Sequence, residues 1–239
     1  MSTLFISDLH LEDARPRTTE WLMAFLEGPA RSAAALYILG DLFEYWIGDD
    51  AVSKTARAVA DATSALAEQG LPIWFQHGNR DFLLGGEYAG RAGFRLLPEN
   101  IVVELHGQPT LLLHGDSLCT DDVEYQTFRT QSRDPAWQAG ILAMTVEQRI
   151  EMARSMRDAS RQHKGSVEMA IMDVNEEAVR RAFTAHGVER MIHGHTHRPA
   201  VHEHALAGGR TGTRIVLADW YDHASYLEVT ADGAASRSL

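Results

Sequence analysis

Residues 3–10 read TLFISDLH, a short apolar run, Thr3 to Ile6, that passes straight into Ser7-Asp8-Leu9-His10. An apolar run of this length bounded by polar turn residues reads as a buried strand. The same form recurs four more times. ALYIL (35–39) runs into Gly40-Asp41, and PIWFQ (72–76) into His77-Gly78-Asn79-Arg80-Asp81. TLLL (110–113) runs into His114-Gly115-Asp116, and VERMI (188–192) into His193-Gly194-His195-Thr196-His197. Polar groups gathered at the carboxyl ends of strands are the usual site geometry of an α/β sheet.

Helical patterns lie between the runs, over 18–28, 52–70 and 173–186. The last has Asp173 or Asn175 as N-cap and Gly187 as its stop. Later strands are expected at 101–105, 200–205, 213–218 and 225–230. A chain that opens strand-helix-strand and closes in strands predicts two stacked sheets flanked by helices. Residues 121–172 break the rhythm and hold no convincing strand. They read as a helical insert of about 50 residues, a size that must lean on a main domain. Within it Arg154, Arg157, Arg161 and Lys164 share one helix face. That stripe is either a solvated face or a surface for phosphates or anionic lipid heads.

The 239 residues carry a net charge of -11, with 22 basic and 33 acidic side chains, and 45% are hydrophobic. This is enough apolar content for a core, and the acidic balance argues against a broad nucleic-acid surface. The single cysteine, Cys119, forbids an intramolecular disulfide and fits a reducing cytoplasm. The N-terminus lacks the basic and apolar regions of a signal peptide. No run of about 20 apolar residues is present to span a bilayer.

His193, His195 and His197 stand on alternate positions. Three imidazoles so close suggest a metal, a proton relay or chance surface residues. The strand ends as a group supply Asp8, His10, Asp41, Asn79, His114, His195 and His197. All are oxygen or imidazole donors with no thiolate, a mix that suits Mn, Fe, Co or Zn, the carboxylates favouring a harder ion such as Mn. Seven ligands exceed one ion and suit two with a bridging carboxylate. Such ions, roughly 3.5–4 Å apart, can hold a hydroxide and clamp a phosphoryl oxygen. Each motif alone is modest, but the ordered series is a strong signal. A metal-binding scaffold without turnover is the reading from another class.

Asp-x-His, Gly-Asp, Gly-Asn-x-Asp, His-Gly-Asp and Gly-His-x-His, in that order, resemble the calcineurin-like metallophosphoesterases across nearly the whole chain. The resemblance implies an α/β (α+β) four-layer αββα sandwich. It would be a single domain over 1–239, with 121–172 as a helical lid inserted in it. It also implies that Asp8, His10 and His197 hold one metal, that Asn79, His114 and His195 hold the other, and that Asp41 bridges. His193 lies outside the Gly-His-x-His motif and is expected to be a structural strand-end residue.

Longer stretches narrow the likeness. TLFISDLHL, ALYILGDLFEYWIGDD, HGNRDFLLG, HGDSLCTDD, AIMDVN and IHGHTHRPAVHE closely resemble the UDP-2,3-diacylglucosamine pyrophosphohydrolase family of lipid A synthesis. In GDLFEYWIGDD, nothing beyond Asp41 is demanded by metal binding. The resemblance implies hydrolysis of UDP-2,3-diacylglucosamine to UMP and 2,3-diacylglucosamine 1-phosphate (lipid X). Metal-activated water would attack the α-phosphorus, with Arg80 and His195 stabilising the developing charge. It implies two Mn2+ per chain, peripheral contact with inner-membrane lipid from the cytoplasmic side, no nucleic acid and a monomer. The insert would cover an apolar cavity for the acyl chains. Substrate contacts carried over by position are Asn79, Arg80, Asp122, Ser160, Lys164 and His195. The family carries an Asn and a Lys at two lid positions where this sequence reads Lys164 and Val167, a departure from its pattern. The rival within the superfamily is a nuclease or general phosphodiesterase, against which the acidic chain and the lipid-sized insert both speak.

Overall fold

The structure is a computed structural model that describes residues 1–166 and 173–239, with the side chains of all of these except 159–166. Strands β1 (Thr3–Ile6), β2 (Ala35–Leu39), β3 (Ile73–Gln76) and β4 (Phe94–Leu96) run parallel as neighbours. β10 (Ser225–Thr230) joins β1 antiparallel, and β11 (Gly233–Ser238) closes the six-stranded sheet. The second sheet has five strands in the order β5-β6-β7-β9-β8. These are β5 (Asn100–Leu105), β6 (Gln108–Leu113), β7 (Arg190–His193), β8 (Ala200–Ala205) and β9 (Thr211–Val216). β6, β7 and β9 are parallel.

Side chains alternate across a strand, so each strand feeds two interfaces. Phe5, Tyr37, Leu39, Leu112, Ile192 and Leu227 point between the sheets and form the central core. Leu4, Ile6, Leu36, Ile38, Ile73 and Phe75 point the other way. They meet α1 (Pro16–Glu27), α2 (Lys54–Glu68) and α3 (Gly86–Ala92) through Leu22, Phe25, Val59, Ala60 and Tyr88. Leu111, Leu113 and Met191 face outward from the second sheet onto Val179 and Phe183 of α7 (Glu176–His186). Three apolar interfaces separate four layers, helix-sheet-sheet-helix, the expected αββα sandwich.

Asn175, rather than Asp173, caps α7, accepting from the amides of Glu177 and Ala178 at 3.0 Å each. Gly187 ends that helix with φ 65°. Three elements were not expected. β11 (GAASRS) has no apolar alternation and forms as an exposed edge on β10. β4 is three residues long, and α3 holds two glycines in seven residues.

Residues 121–166 carry α4 (Val123–Ser132), α5 (Pro135–Leu142) and α6 (Val146–Ser166), and no strand. The Tyr45–Asp50 stretch, unneeded for metal binding, is where this helical segment docks. Arg149 of α6 is buried, forms an ion pair with Asp50 and donates to the Ile47 carbonyl. Asp49 accepts from Trp46 Nε1 and from the amides of Gly85 and Tyr88, tying the same stretch to α3. The expected Arg154–Lys164 stripe is not uniform where it is described. Arg154 is exposed beside Glu151, whereas Arg157 tucks its guanidinium over the Tyr45 ring at 4.8 Å. No helix among the described residues is long and apolar enough to cross a membrane.

Candidate metal centre

Parallel strands bring their carboxyl ends to one edge, so the loops after β1, β2, β3, β6 and β7 converge. The chain must then turn sharply to aim its side chains inward. Among the described residues six non-glycines have positive φ, and five are Asp8 (56°), His10 (50°), Asp41 (52°), His195 (67°) and His197 (55°). The left-handed region disfavours residues with a Cβ, and such positions concentrate at functional sites. Close approach adds to this. A Cβ on Gly78 would collide with Asp41, and one on Gly194 with Asp8 and Ser7.

Two clusters result, joined by Asp41. His10 Nε2 and His197 Nε2 face each other at 3.3 Å, and Asp8 Oδ1 lies 3.3 Å from His197 Nε2 and 3.9 Å from His10 Nε2. On the other side Asn79 Oδ1 lies 3.1 Å from His114 Nε2 and 2.9 Å from His195 Nδ1. Asp41 presents Oδ2 to His10 at 3.9 Å and Oδ1 to His114 at 3.7 Å. The seven strand-end residues expected from the sequence are therefore brought together, with Asp41 in the middle.

The donor set fits divalent cations. Asp8 Oδ1 is buried without a hydrogen-bond partner, a costly condition for a carboxylate oxygen. Burial would push the Asp8 carboxyl up, but the imidazoles of His197, His114 and His10 around it outweigh this and hold it well below the usual range. Burial, with the His114 charge, pushes the His195 imidazole down to about 3, which keeps it in the neutral form that binds metal. His114 Nδ1 lies 2.8 Å from the Leu39 carbonyl. An imidazole that donates there turns its other nitrogen, as a lone pair, toward the site. Asp8, His10 and His197 form one group able to hold an ion, and Asp8, Asp41 and His114 another.

Several contributors carried no clear signal in the sequence. Glu44 Oε2 lies 3.3 Å from His10 Nδ1, behind the ring. Tyr221, from the loop before β10, stacks on His10 at 5.3 Å with 5° between the planes. Asp219 Oδ2 sits 3.6 Å from His197 Nδ1. Asp81 and Asp116 stand in the motifs but do another job. Asp81 accepts from the amides of Gly78 and Leu42, clamping two site loops together. Asp116 is buried and accepts from Tyr125 Oη at 2.8 Å and Arg129 Nε at 2.9 Å, fastening α4 to the loop that carries His114. His193 is fully buried and points away from both clusters, as expected of a structural residue.

Beside the clusters opens a cavity of about 340 Å3 between the sandwich and α4–α6. Its lining is mostly apolar, with Trp46, Phe82, Phe128, Trp137, Ile141, Met152 and Met156 among it, and carries Asn79, Arg80, Glu44, Glu124, Arg149 and Arg157 as polar groups. Arg80 Nε is buried with no hydrogen-bond partner. Asp122 caps α4 through the Tyr125 amide at 2.9 Å. Ser160 and Lys164 lie on α6 where side chains are outside the described residues, and Val167 lies outside the described residues altogether.

This arrangement can be set against known proteins. The calcineurin-like phosphoesterase family profile matches residues 1–199. A UDP-2,3-diacylglucosamine hydrolase of Xanthomonas campestris pv. campestris is 52% identical over 246 residues, covering 100% of this chain and 99% of that relative. One of Stenotrophomonas maltophilia is 52% identical over 240 residues, covering 98% and 96%. The chain belongs to the calcineurin-like phosphoesterases and, within them, to the group of the UDP-2,3-diacylglucosamine hydrolases.

Proposed function

We propose that the protein hydrolyses the diphosphate bond of UDP-2,3-diacylglucosamine in lipid A synthesis, releasing UMP and lipid X. One observation carries this reading: the largely apolar cavity abuts the polar clusters, sharing Asn79 with them and lined beside it by Arg80. A nuclease or simple phosphodiesterase has no use for a deep apolar annex beside its metals. A substrate with two acyl chains does.

In this reading Asp8, His10 and His197 hold one cation, Asn79, His114 and His195 the other, and Asp41 reaches both. The set mixes four imidazoles with two carboxylates and an amide oxygen, and the carboxylates favour two Mn2+. When bound, the ions lower the pKa of a water and offset charge on the phosphate oxygens. The chain's own residues do the rest. Arg80, at the junction, holds the diphosphate and stabilises the charge that grows on it. His195 supports the same oxygens from the other side. Trp46, Phe82, Phe128 and Trp137 exclude water and take acyl chain. Asp122, Ser160 and Lys164 complete the hold on the substrate from the 121–172 lid, which sits on a single domain spanning 1–239.

The protein works as a monomer at the cytoplasmic face of the inner membrane. Exposed Val123, Leu142 and Tyr45 on and beside the lid support contact with lipid. The reaction is tested by hydrolysis in 18O-labelled water. Label in UMP fits attack at the α-phosphorus; label confined to lipid X contradicts it.

A further inference from the structure

His193 is the one histidine of its cluster that no metal role explains, yet it is fully buried in a network that costs a charge. Arg214 of β9 is itself buried. Its Nη1 lies 3.1 Å from His193 Nε2, and its Nε lies 3.2 Å from His204 Nε2. A guanidinium only donates, so both rings must accept from it through Nε2. Each then carries its proton on Nδ1. His204 Nδ1 faces Glu176 Oε2 at 3.1 Å. His193 Nδ1 faces the Gly194 carbonyl at 2.8 Å.

The last contact matters because a peptide unit is planar. The Gly194 carbonyl and the His195 amide belong to one plane. The carbonyl is held by His193, and the amide donates to Asp8 Oδ2 at 2.9 Å. The plane is thus pinned at both ends, where the chain enters the left-handed conformation of His195. Rotating it would swing His195 away from Asn79.

We propose that Arg214 is a positioning residue for the metal centre, acting through the His193 tautomer on the Gly194–His195 peptide. The proposal rests on the ligand reading given above. A ring with the opposite tautomer would set an N–H against the guanidinium and a lone pair against the carbonyl, leaving the peptide held only through the bond from the His195 amide to Asp8.

The test is titration of chelated protein with Co2+, followed by its visible absorbance, on Arg214→Met, His193→Asn, His193→Gln and the double variant Arg214→Met/His193→Asn, with thermal melting alongside. An asparagine amide nitrogen stands where Nδ1 does, and a glutamine amide where Nε2 does. His193→Asn is expected to keep the bond to Gly194 and most of the Co2+ affinity. His193→Gln and Arg214→Met are expected to weaken affinity roughly tenfold or more, the scale for outer-shell partners of metal ligands. Adding Arg214→Met to His193→Asn is expected to change affinity little, because the path through the ring is already gone. Folded Arg214→Met with wild-type affinity would overturn the proposal, as would an equal loss in both backgrounds. If Arg214→Met does not fold, the His193→Asn and His193→Gln pair decides alone, and equal affinities overturn it. Absence of Co2+ binding by the wild type would instead overturn the ligand reading itself.

Discussion

Asp8 and His195 are joined across the two sheets: the His195 amide donates to Asp8 Oδ2 at 2.9 Å. Ser7 Oγ donates to the same oxygen at 2.6 Å. One Asp8 oxygen therefore builds the site, and the other, Oδ1, is left facing His10 and His197. Asp8→Asn keeps an oxygen for the building role and loses the charge for the other. It is expected to fold and to lose on the order of 100-fold or more in turnover, beyond the usual loss for outer-shell partners. Circular dichroism and steady-state rates check this. A folded variant with wild-type rates under metal-replete conditions contradicts the ligand assignment.

Asp81 is predicted to matter for stability. Both of its oxygens accept from buried backbone, Gly78 N and Leu42 N, each at 2.8 Å. Asp81→Asn replaces one acceptor with a donor that faces an amide. The cost expected for one unsatisfied buried group is about 1–3 kcal/mol. Urea denaturation measures it, and a midpoint equal to wild type would remove the clamp from the account.

Arg80 separates binding of metal from turnover. Arg80→Ala leaves all seven metal-facing side chains in place, so metal content should stay at the wild-type level. Losing one donor to the growing charge is expected to lower kcat/KM by roughly 10²–10³. Elemental analysis beside kinetics tests both halves, and unchanged kinetics would take Arg80 out of the site.

Cys119 is predicted to be inert. It is buried, and burial with the Asp116 charge nearby pushes its thiol up to about 12. A disulfide reagent at pH 8 should modify none of it in the folded protein and one equivalent after unfolding. Linkage has a definite sign here. The unfolded thiol releases its proton from about pH 8.5 while the folded one keeps it, so this group subtracts stability as pH rises from there towards 12. Rapid modification of the native protein contradicts the burial.

The fold was legible because each parallel strand announces itself as an apolar run and each ends in a chemically distinctive cluster. TLFI, ALYIL and TLLL are apolar on both faces, as strands buried between two layers must be, and Asn175 and Gly187 mark the ends of α7 by ordinary capping chemistry. β11 was not legible, since an exposed edge strand such as GAASRS is held by pairing with β10 and not by pattern. The metal-facing residues were legible as residue types. The left-handed backbone of five of them was not, because residues with a Cβ seldom adopt it unless the surrounding fold imposes it. Tyr221 and Asp219 reach the site from the far end of the chain, with only tertiary structure to place them against His10 and His197.

The central claim is that the strand-end cluster makes this chain a metal-dependent hydrolase of a diacylated nucleotide. The most direct measurement is UMP release from UDP-2,3-diacylglucosamine by chelated protein as Mn2+ is titrated back, with bound metal counted in the same samples. The account predicts no UMP without metal and turnover that rises as the sites fill. UMP released at the full rate in chelator, or none with two ions bound per chain, would contradict it.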